Sequence, residues 1–351
     1  MVMLLTSETF VLRGPQEDGG LDIAVTRYCP GASAPATSAT GDRVSLLFLH
    51  GVSYHKETWI PTIEHLFDLQ ATTPQSGFAV IEAWAIDSPS HGQSAILNDA
   101  RLLSHPQGIT AHEVARAVQV FLKSGLIAGN LLVGVAHSAS VSVISLSTLG
   151  YKTGNLPYSS LILVEPPIMT RKVFARATKK GKAWELLVEM AKTRKDIWPS
   201  REAARDWMSK RLPWNSWTPR CLDLLVEYAL RDLPTATYPD QTDGVTLCCT
   251  RDHEAAGYIY HQDGFDSLDR LGDICPMIPV HCIFGEKEDV VPNFVKAGFV
   301  DARQGRKMAS ITTVPNAGHL VVEENPDGLA EAIWATMQGS WRSKTGIMYK
   351  L

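Results

Sequence analysis

Three features that would each indicate a specific class of protein are missing from this sequence. Its six cysteines include no Cys-x-x-Cys pair, so we expect neither a metal site nor a disulfide framework and interpret them as reduced thiols of an intracellular protein. No apolar run approaches the about 18 residues that a membrane span needs. A formal net charge of −4 argues against nucleic acid as a partner, because phosphate binding requires a concentrated basic face.

No repeat or low-complexity tract is visible in the sequence, and we expect no signal peptide. Residues 1–10 lack a basic segment followed by a long apolar core, and they predict an edge strand. Residues 31–41, rich in Ala, Ser, Pro and Thr, predict a hairpin loop. The 351 residues exceed the length of about 250–300 at which one core stops growing. A single core that carries an insertion is therefore expected.

A polar serine interrupts an apolar run near the middle of the chain. Residues 130–136 predict a buried parallel strand and residues 141–146 the start of a helix, so Ser138 lies on a tight strand-to-helix turn. Ala136 and Ser140, two residues before and after it, are small, as so sharp a turn requires. The pattern resembles the nucleophile elbow of the α/β-hydrolase superfamily, although the usual motif has glycine at both of those places. We predict Ser138 as a nucleophile.

An oxyanion hole is predicted one strand earlier. The strand pattern of residues 43–49 runs into a His-Gly-Val loop, where α/β-hydrolases place their first oxyanion loop. Attack on a carbonyl develops negative charge, and removing one preorganised donor costs about 3–4 kcal/mol of transition-state stabilisation. We predict the backbone N–H groups of Val52 and Ala139 as the two donors.

His319 is the best-placed base among eleven histidines. It follows the β-branched strand of residues 311–314 at a Gly-His turn and precedes a predicted last helix, residues 326–334. A serine hydroxyl needs a base within hydrogen-bond reach and a carboxylate that orients this base. The chain order serine, acid, histidine is the order that α/β-hydrolases use.

Two positions compete for the carboxylate. Glu165 directly follows the strand of residues 160–164, whereas Glu288 and Asp289 follow the strand of residues 280–284. The second location is the commoner one for the acid of this superfamily, and the first is a known alternative. The residues alone leave both open.

Four segments are similar to the fungal hydrolases of secondary-metabolite clusters, the family that includes the mycophenolic acid acyl-coenzyme A hydrolase and the AK-toxin hydrolases. They are residues 133–138, 161–166, 197–204 and 245–250. The resemblance spans about His50 to His319 and implies an α/β-hydrolase fold with a mostly parallel eight-stranded sheet flanked by helices. It also implies a polyketide- or terpenoid-derived acyl thioester as the substrate. By this resemblance Glu165 is favoured over Glu288 and Asp289, with glutamate where the family has aspartate.

An insertion separates two parts of the predicted core. Residues 1–167 and 244–351 are predicted to form the hydrolase core, and residues 168–243 a helical lid that is rich in tryptophan. Most of these tryptophans are expected to form the apolar interior of the lid, and a few to line a large acyl pocket. The predicted substrate contacts are His50, Gly51, His137, Trp184, Trp214 and Trp217.

The lid begins with six cations in twelve residues, 171–182. Such a run is usually a solvated helix face. An alternative is that Arg171, Lys172 and Lys179 hold the phosphates of coenzyme A, since charge-assisted contacts to phosphate are strong. Both interpretations remain open from the sequence.

Together these residues predict a two-step acyl transfer that needs neither a metal nor an organic cofactor. The expected partner is a small acyl substrate, by the resemblance a coenzyme A thioester. Cyclisation or carbon–carbon bond cleavage by the same triad is an alternative, and a noncatalytic small-molecule receptor on this fold is a second one. The oligomeric state does not follow from the sequence. Residues 349–351, Tyr-Lys-Leu, resemble a peroxisomal Ser-Lys-Leu signal in part, so we expect a peroxisomal or cytoplasmic location.

Overall fold

A computed structural model describes residues 5–31, 41–73, 77–152, 154–180 and 183–345. The strands are β1 Leu5–Arg13, β2 Asp22–Pro30, β3 Asp42–Leu49, β4 Phe78–Ile86, β5 Leu131–His137, β6 Ser160–Val164, β7 Ile197–Trp198, β8 Leu230–Asp232, β9 Val245–Leu247, β10 Val280–Gly285 and β11 Ser310–Val314. The helices are α1 Ile60–Thr72, α2 Gly92–Leu97, α3 Asp99–Leu102, α4 Ala111–Leu122, α5 Ser140–Leu146, α6 Arg171–Lys180, α7 Ala183–Thr193, α8 Arg201–Met208, α9 Pro219–Tyr228, α10 Arg251–Ala256, α11 His261–Ile274, α12 Asn293–Phe299, α13 Val321–Glu324 and α14 Pro326–Thr345.

Eight strands form the central sheet in the order β1-β2-β4-β3-β5-β6-β10-β11. β2 runs antiparallel to β1 and β4, and every other neighbouring pair is parallel. The predicted mostly parallel eight-stranded sheet is thus confirmed. β1 is an edge strand that begins at Leu5, and most of the predicted hairpin loop, residues 32–40, lies outside the described residues.

Apolar layers cover both faces of the sheet, because successive side chains of a strand point to opposite sides. Along β3, Leu46 and Phe48 pack with residues of α1 and α14, whereas Leu47 and Leu49 pack with residues of α4, α5 and α11. Because β3, β5, β6, β10 and β11 run parallel, they end at one common edge of the sheet. The loops that follow these strands meet at this edge. Within the described ranges, no helix is long and apolar enough to span a membrane.

The segment between β6 and α10 differs from its prediction as a purely helical lid. It holds α6 to α9, but also a three-stranded antiparallel sheet in the order β7-β9-β8. β9, at Val245–Leu247, lies beyond the predicted boundary at residue 243 and joins this small sheet. Strands of two or three residues leave no periodicity in the sequence, which explains why the pattern did not reveal them.

Candidate active site

The turn between β5 and α5 holds Ser138 in a strained conformation. Its φ of 57° lies in the left-handed region that a non-glycine residue rarely adopts. The amide of Ser138 donates to the carbonyl of Val164 at the end of β6, at 2.9 Å, which fixes the turn against the neighbouring strand. The sharp bend reverses the backbone directly after the last residue of the strand. The Ser138 side chain is thereby placed at the carboxyl edge of the sheet.

Ser140 stands two residues after Ser138, where the usual motif has glycine. Its hydroxyl donates to the carbonyl of His50, which joins the elbow to the loop that follows β3. Gly51 comes next in this loop, and a Cβ there would lie 3.2 Å from the Cβ of Ser138. The absence of a side chain at Gly51 therefore permits the close approach of the two loops, and its substrate contact stays a prediction.

His319 lies beside Ser138, although 181 positions separate them in the chain. Oγ of Ser138 is 2.9 Å from Nε2 of His319. On the other side of the ring, Nδ1 is 3.3 Å from Oε2 of Glu165. A carboxylate only accepts hydrogen bonds, so we assign the imidazole proton to Nδ1, which leaves Nε2 free to accept from the serine hydroxyl. This arrangement can take a proton from Oγ.

Of the two candidate locations for the acid, only the end of β6 reaches the imidazole ring. Glu165 is fully buried and also adopts a positive φ, 48°. Its Oε1 accepts from the amide of Gly285 at 2.6 Å, and its amide donates to the carbonyl of Ile283 at 2.9 Å. Both contacts come from β10, so the neighbouring strand fixes the backbone and the carboxylate of Glu165.

The other two carboxylates have different partners. Glu288 accepts from the backbone and side-chain amides of Asn293, at 2.8 and 2.5 Å, and thereby caps α12. Asp289 accepts from the backbone amide of His319, with Oδ1 at 2.9 Å and Oδ2 at 3.1 Å from the nitrogen. Asp289 thus contacts the main chain of His319 instead of its ring.

The two predicted oxyanion donors lie on the joined loops. Within the described part of the chain, neither the amide of Val52 nor that of Ala139 donates to another protein atom. The residue after Val52, Ser53, has a φ of 77°, and its amide donates to Nε2 of His91 at 3.2 Å. The hydroxyl of Ser53 donates to Glu254. Both contacts of Ser53 restrain the loop that carries Val52.

His50 supports this loop. Its Nδ1–H donates to the carbonyl of Gly51 at 2.7 Å, and its Nε2 accepts from the amide of Ser88 at 3.1 Å. Burial lowers the pKa of His50 and keeps the ring neutral. Because both ring nitrogens are occupied, the predicted substrate contact of His50 is replaced by a structural one.

His137 is fully buried beneath the elbow. Its Nε2–H donates to the carbonyl of His319 at 2.9 Å. Burial, together with the neighbouring His319, lowers the pKa of His137 to about 3, so the ring is neutral. The sequence predicts His137 both as a packing or hydrogen-bonding residue beneath the turn and as a substrate contact. The structure places it in the first position, and not at a surface that a substrate could reach.

The predicted tryptophans differ in their surroundings. Trp217 is buried, and its ring lies 5.6 Å from that of Tyr54, which follows the oxyanion loop. Trp214 is partly buried and packs against the apolar interior of the insertion, with its ring centre 5.7 Å from that of Trp207. The side chain of Trp184 lies outside the described part of the chain. Trp217 is therefore the predicted aromatic residue that the structure brings near the site.

Two of the predicted phosphate contacts, Arg171 and Lys172, line a groove beside α6. Both are exposed there together with Arg176, which was not predicted, and the groove has a volume of about 510 Å³. Arg171 pairs with Asp269 at 3.0 Å and lies over the ring of Phe265. The Lys179 side chain lies outside the described part of the chain. Among the described residues, no group of His, Cys, Asp and Glu is arranged to hold a metal ion.

A known protein family matches the part of the chain that holds these site residues. The model of the alpha/beta hydrolase family matches residues 46–332, a range that includes Ser138, Glu165 and His319. The chain belongs to the α/β-hydrolase family. Together with the observed sheet, this membership confirms the fold that the sequence predicts.

Two fungal α/β-hydrolase relatives are similar in sequence. The type I acyl-CoA thioesterase mpaH of Penicillium roqueforti is 31% identical over 234 residues, which are 64% of this chain and 48% of that protein. The type I acyl-CoA thioesterase mpaH' of Penicillium brevicompactum is 30% identical over 259 residues, 70% of this chain and 55% of that protein. The chain spans about half the length of the curated relatives it matches.

Solved α/β-hydrolase structures are similar in fold. The peroxisomal α/β-hydrolase Lpx1 from Saccharomyces cerevisiae superposes with a TM-score of 0.76 at 17% identity, covering 99% of this chain and 93% of that chain. The thioesterase domain from the curacin biosynthetic pathway gives a TM-score of 0.63 at 16% identity, covering 95% and 100%. At such low identity these likenesses extend to the fold alone.

Two residues outside the sequence motifs, Lys296 and Arg194, also contact this α/β-hydrolase site. Lys296 of α12 lies 2.7 Å from Oε1 of Glu165. Arg194, at the end of α7, pairs with Glu254 at 2.6 Å and so reaches Ser53. In the sequence, the only indication of the Lys296 contact is that a lysine lies on the apolar side of α12, between Val295 and Phe299. A charge on an otherwise apolar helix face indicates a buried partner, but the sequence does not name that partner.

Proposed function

We propose that this chain is a serine hydrolase that cleaves the thioester or ester of a bulky apolar acyl group. Ser138 is the nucleophile, His319 the general base and Glu165 the acid that orients the imidazole. One observation carries the proposal: Oγ of Ser138 lies 2.9 Å from Nε2 of His319, whose Nδ1 faces Glu165. This is the geometry that an activated serine requires.

The reaction proceeds in two steps. Oγ of Ser138 attacks the carbonyl carbon while its proton passes to Nε2 of His319. The carbon–sulfur or carbon–oxygen bond then breaks, and the leaving thiol or alcohol takes that proton. Water next adds to the acyl-enzyme, gives a proton to His319, and releases the carboxylic acid as Ser138 regains its hydrogen. The unoccupied amides of Val52 and Ala139 would stabilise the oxyanion in both steps.

The proposed substrate class is an acyl-coenzyme A intermediate of fungal secondary metabolism. The two Penicillium relatives are named acyl-CoA thioesterases, which supports this substrate class. The groove lined by Arg171, Lys172 and Arg176 supports it as well, because these cations can hold phosphate groups. The aromatic residue Trp217 contributes apolar surface above the oxyanion loop.

For the location in the cell we propose the peroxisome or the cytoplasm. A peroxisomal α/β-hydrolase has the same fold, which is consistent with the first alternative. Imaging of the full chain, with a fluorescent protein at its amino end, alongside a peroxisomal marker distinguishes the two locations.

Labelling by a fluorophosphonate tests the proposed chemistry. The wild-type chain is expected to label, and S138A is expected to lose the label while it keeps its fold. A matched control is S142A, because Ser142 is a buried serine of α5 that bonds Ser267 and is absent from the proposed mechanism. Equal labelling of wild type and S138A would refute the proposal. Hydrolysis of an acyl-coenzyme A in water enriched in oxygen-18 should place one heavy oxygen in the released acid, whereas cyclisation would place none.

A further inference from the structure

The carboxylate of Glu165 has a charged partner on the side that faces away from the imidazole. Nζ of Lys296 lies 2.7 Å from Oε1 of Glu165, and the same ammonium donates to the carbonyl of Gly285 at 3.2 Å. The side chain of Glu165 is fully buried and that of Lys296 is 10% exposed. Solvent therefore screens this ion pair only weakly.

Lys296 offsets the buried charge of Glu165, because removing one partner of a buried ion pair leaves the other charge uncompensated. It lies on a helix face with the buried residues Val295 and Phe299. What the lysine adds is a positive charge next to the carboxylate that contacts His319.

That charge acts on the proton which His319 takes up during the reaction. Adding a positive charge to the Glu165–His319 pair is less favourable near a cation, because like charges repel each other. The ammonium also fixes one oxygen of the carboxylate, so that Oε2 remains directed at Nδ1.

This inference rests on the proposed function: we propose that Lys296 is a positioning residue that fixes the Glu165 carboxylate and places a positive charge beside the Glu165–His319 pair. Other groups face the pair from the surrounding elements. Cys282 of β10 is neutral, since burial and Glu165 raise the pKa of its thiol. His137 is neutral, and Asp289 contacts the backbone amide of His319.

One more acid, Glu324 of α13, accepts from the amide of Gly318, which precedes His319. In the described part of the chain, Lys296 is the one cation that pairs with the Glu165 carboxylate apart from the imidazole itself. The substitution of Lys296 therefore changes the charge around the pair while it leaves these other groups in place.

The test is the dependence of kcat/KM on pH for a 4-nitrophenyl ester, measured for wild type, K296M, K296Q and K296R. Loss of the cation in K296M and K296Q should move the acid limb of the profile to higher pH by about one unit. K296R retains the cation and should retain the wild-type limb. K287M is the matched control, because Lys287 is an exposed lysine on the loop after β10 and its loss should leave the limb in place.

Each outcome decides the proposal. An acid limb that stays at its wild-type position in both K296M and K296Q overturns it, even if the rate falls, because a purely structural lysine would lower the rate without moving the limb. K296Q serves as the test if K296M fails to fold. If the wild type neither hydrolyses the ester nor labels with a fluorophosphonate, the proposed function fails first and this inference fails with it.

Discussion

Asp289 holds the main chain of His319, with Oδ1 2.9 Å from the amide nitrogen. Asp289 occupies the loop where related hydrolases commonly carry the triad acid, yet Glu165 faces the ring here. His137 donates to the carbonyl of the same residue. The peptide groups on both sides of His319 are thus fixed, while a carboxylate from another strand orients the imidazole.

Substitution D289A should therefore lower kcat without changing which residues react. Loss of the acceptor frees the His319 amide and lets the imidazole shift, and a misplacement of about 1 Å can cost roughly 100-fold in rate. We expect a decrease in kcat of about 10- to 100-fold. Steady-state kinetics on an ester measure it, and E288A, which loses only a helix cap, is the control. A D289A rate within a factor of about two of wild type would contradict the positioning role.

Substitution S140A should weaken the contact between the elbow and the oxyanion loop. The hydroxyl of Ser140 donates to the buried carbonyl of His50, and leaving such an acceptor unpaired costs about 1–3 kcal/mol. We expect the free energy of unfolding to fall by this amount. We also expect kcat to fall, because Val52, a proposed oxyanion donor, follows His50 in the same loop. Urea denaturation measures the first effect. S159A, which removes a half-buried hydroxyl directly before β6, should change kcat little.

Neutralising Arg171, Lys172 and Arg176 together should raise KM for a coenzyme A thioester and spare a small neutral ester. The three cations line one groove, and the loss of their contacts to phosphate should raise KM about 10-fold or more. The control variant neutralises Lys123, Lys152 and Lys307, which are exposed but do not line the groove. Equal effects on both substrates would remove the coenzyme A interpretation of the groove.

Glu323 should make stability dependent on pH. Burial raises the pKa of this carboxyl to about 8, and within the described part of the chain its Oε2 has no hydrogen-bond partner. The native state keeps the proton that the unfolded chain releases near pH 4.5, so stability falls as pH rises from about 4.5 to 8, by roughly 1.4 kcal/mol per unit. His137, whose pKa is lowered, acts in the opposite sense, but only below about pH 6.5.

The variant E323Q should remove this dependence. Between about pH 6.5 and pH 8 the wild type should lose roughly 2 kcal/mol more than E323Q. Urea denaturation at the two pH values measures the difference. E331Q, which changes an exposed glutamate of α14, should follow the wild type. Parallel behaviour of E323Q and wild type would show that Glu323 is ionised in the native state.

Local patterns predict the central sheet and the contact between Ser138 and His319, because strand ends and tight turns depend on short stretches of sequence. The choice of Glu165 as the acid required the family resemblance, since the end of β6 and the loop after β10 both carry carboxylates. The small sheet β7-β9-β8 and the contact between Lys296 and Glu165 could not be predicted. Both depend on which distant segments meet after folding, and that information is not local.

Arg194, Glu254 and Ser53 join the insertion to the loop that carries Val52. An arginine more than 140 positions downstream in the sequence therefore helps to restrain the loop that holds one proposed oxyanion donor. A substitution at position 194 is expected to disturb this loop, even though the residue lies in the insertion.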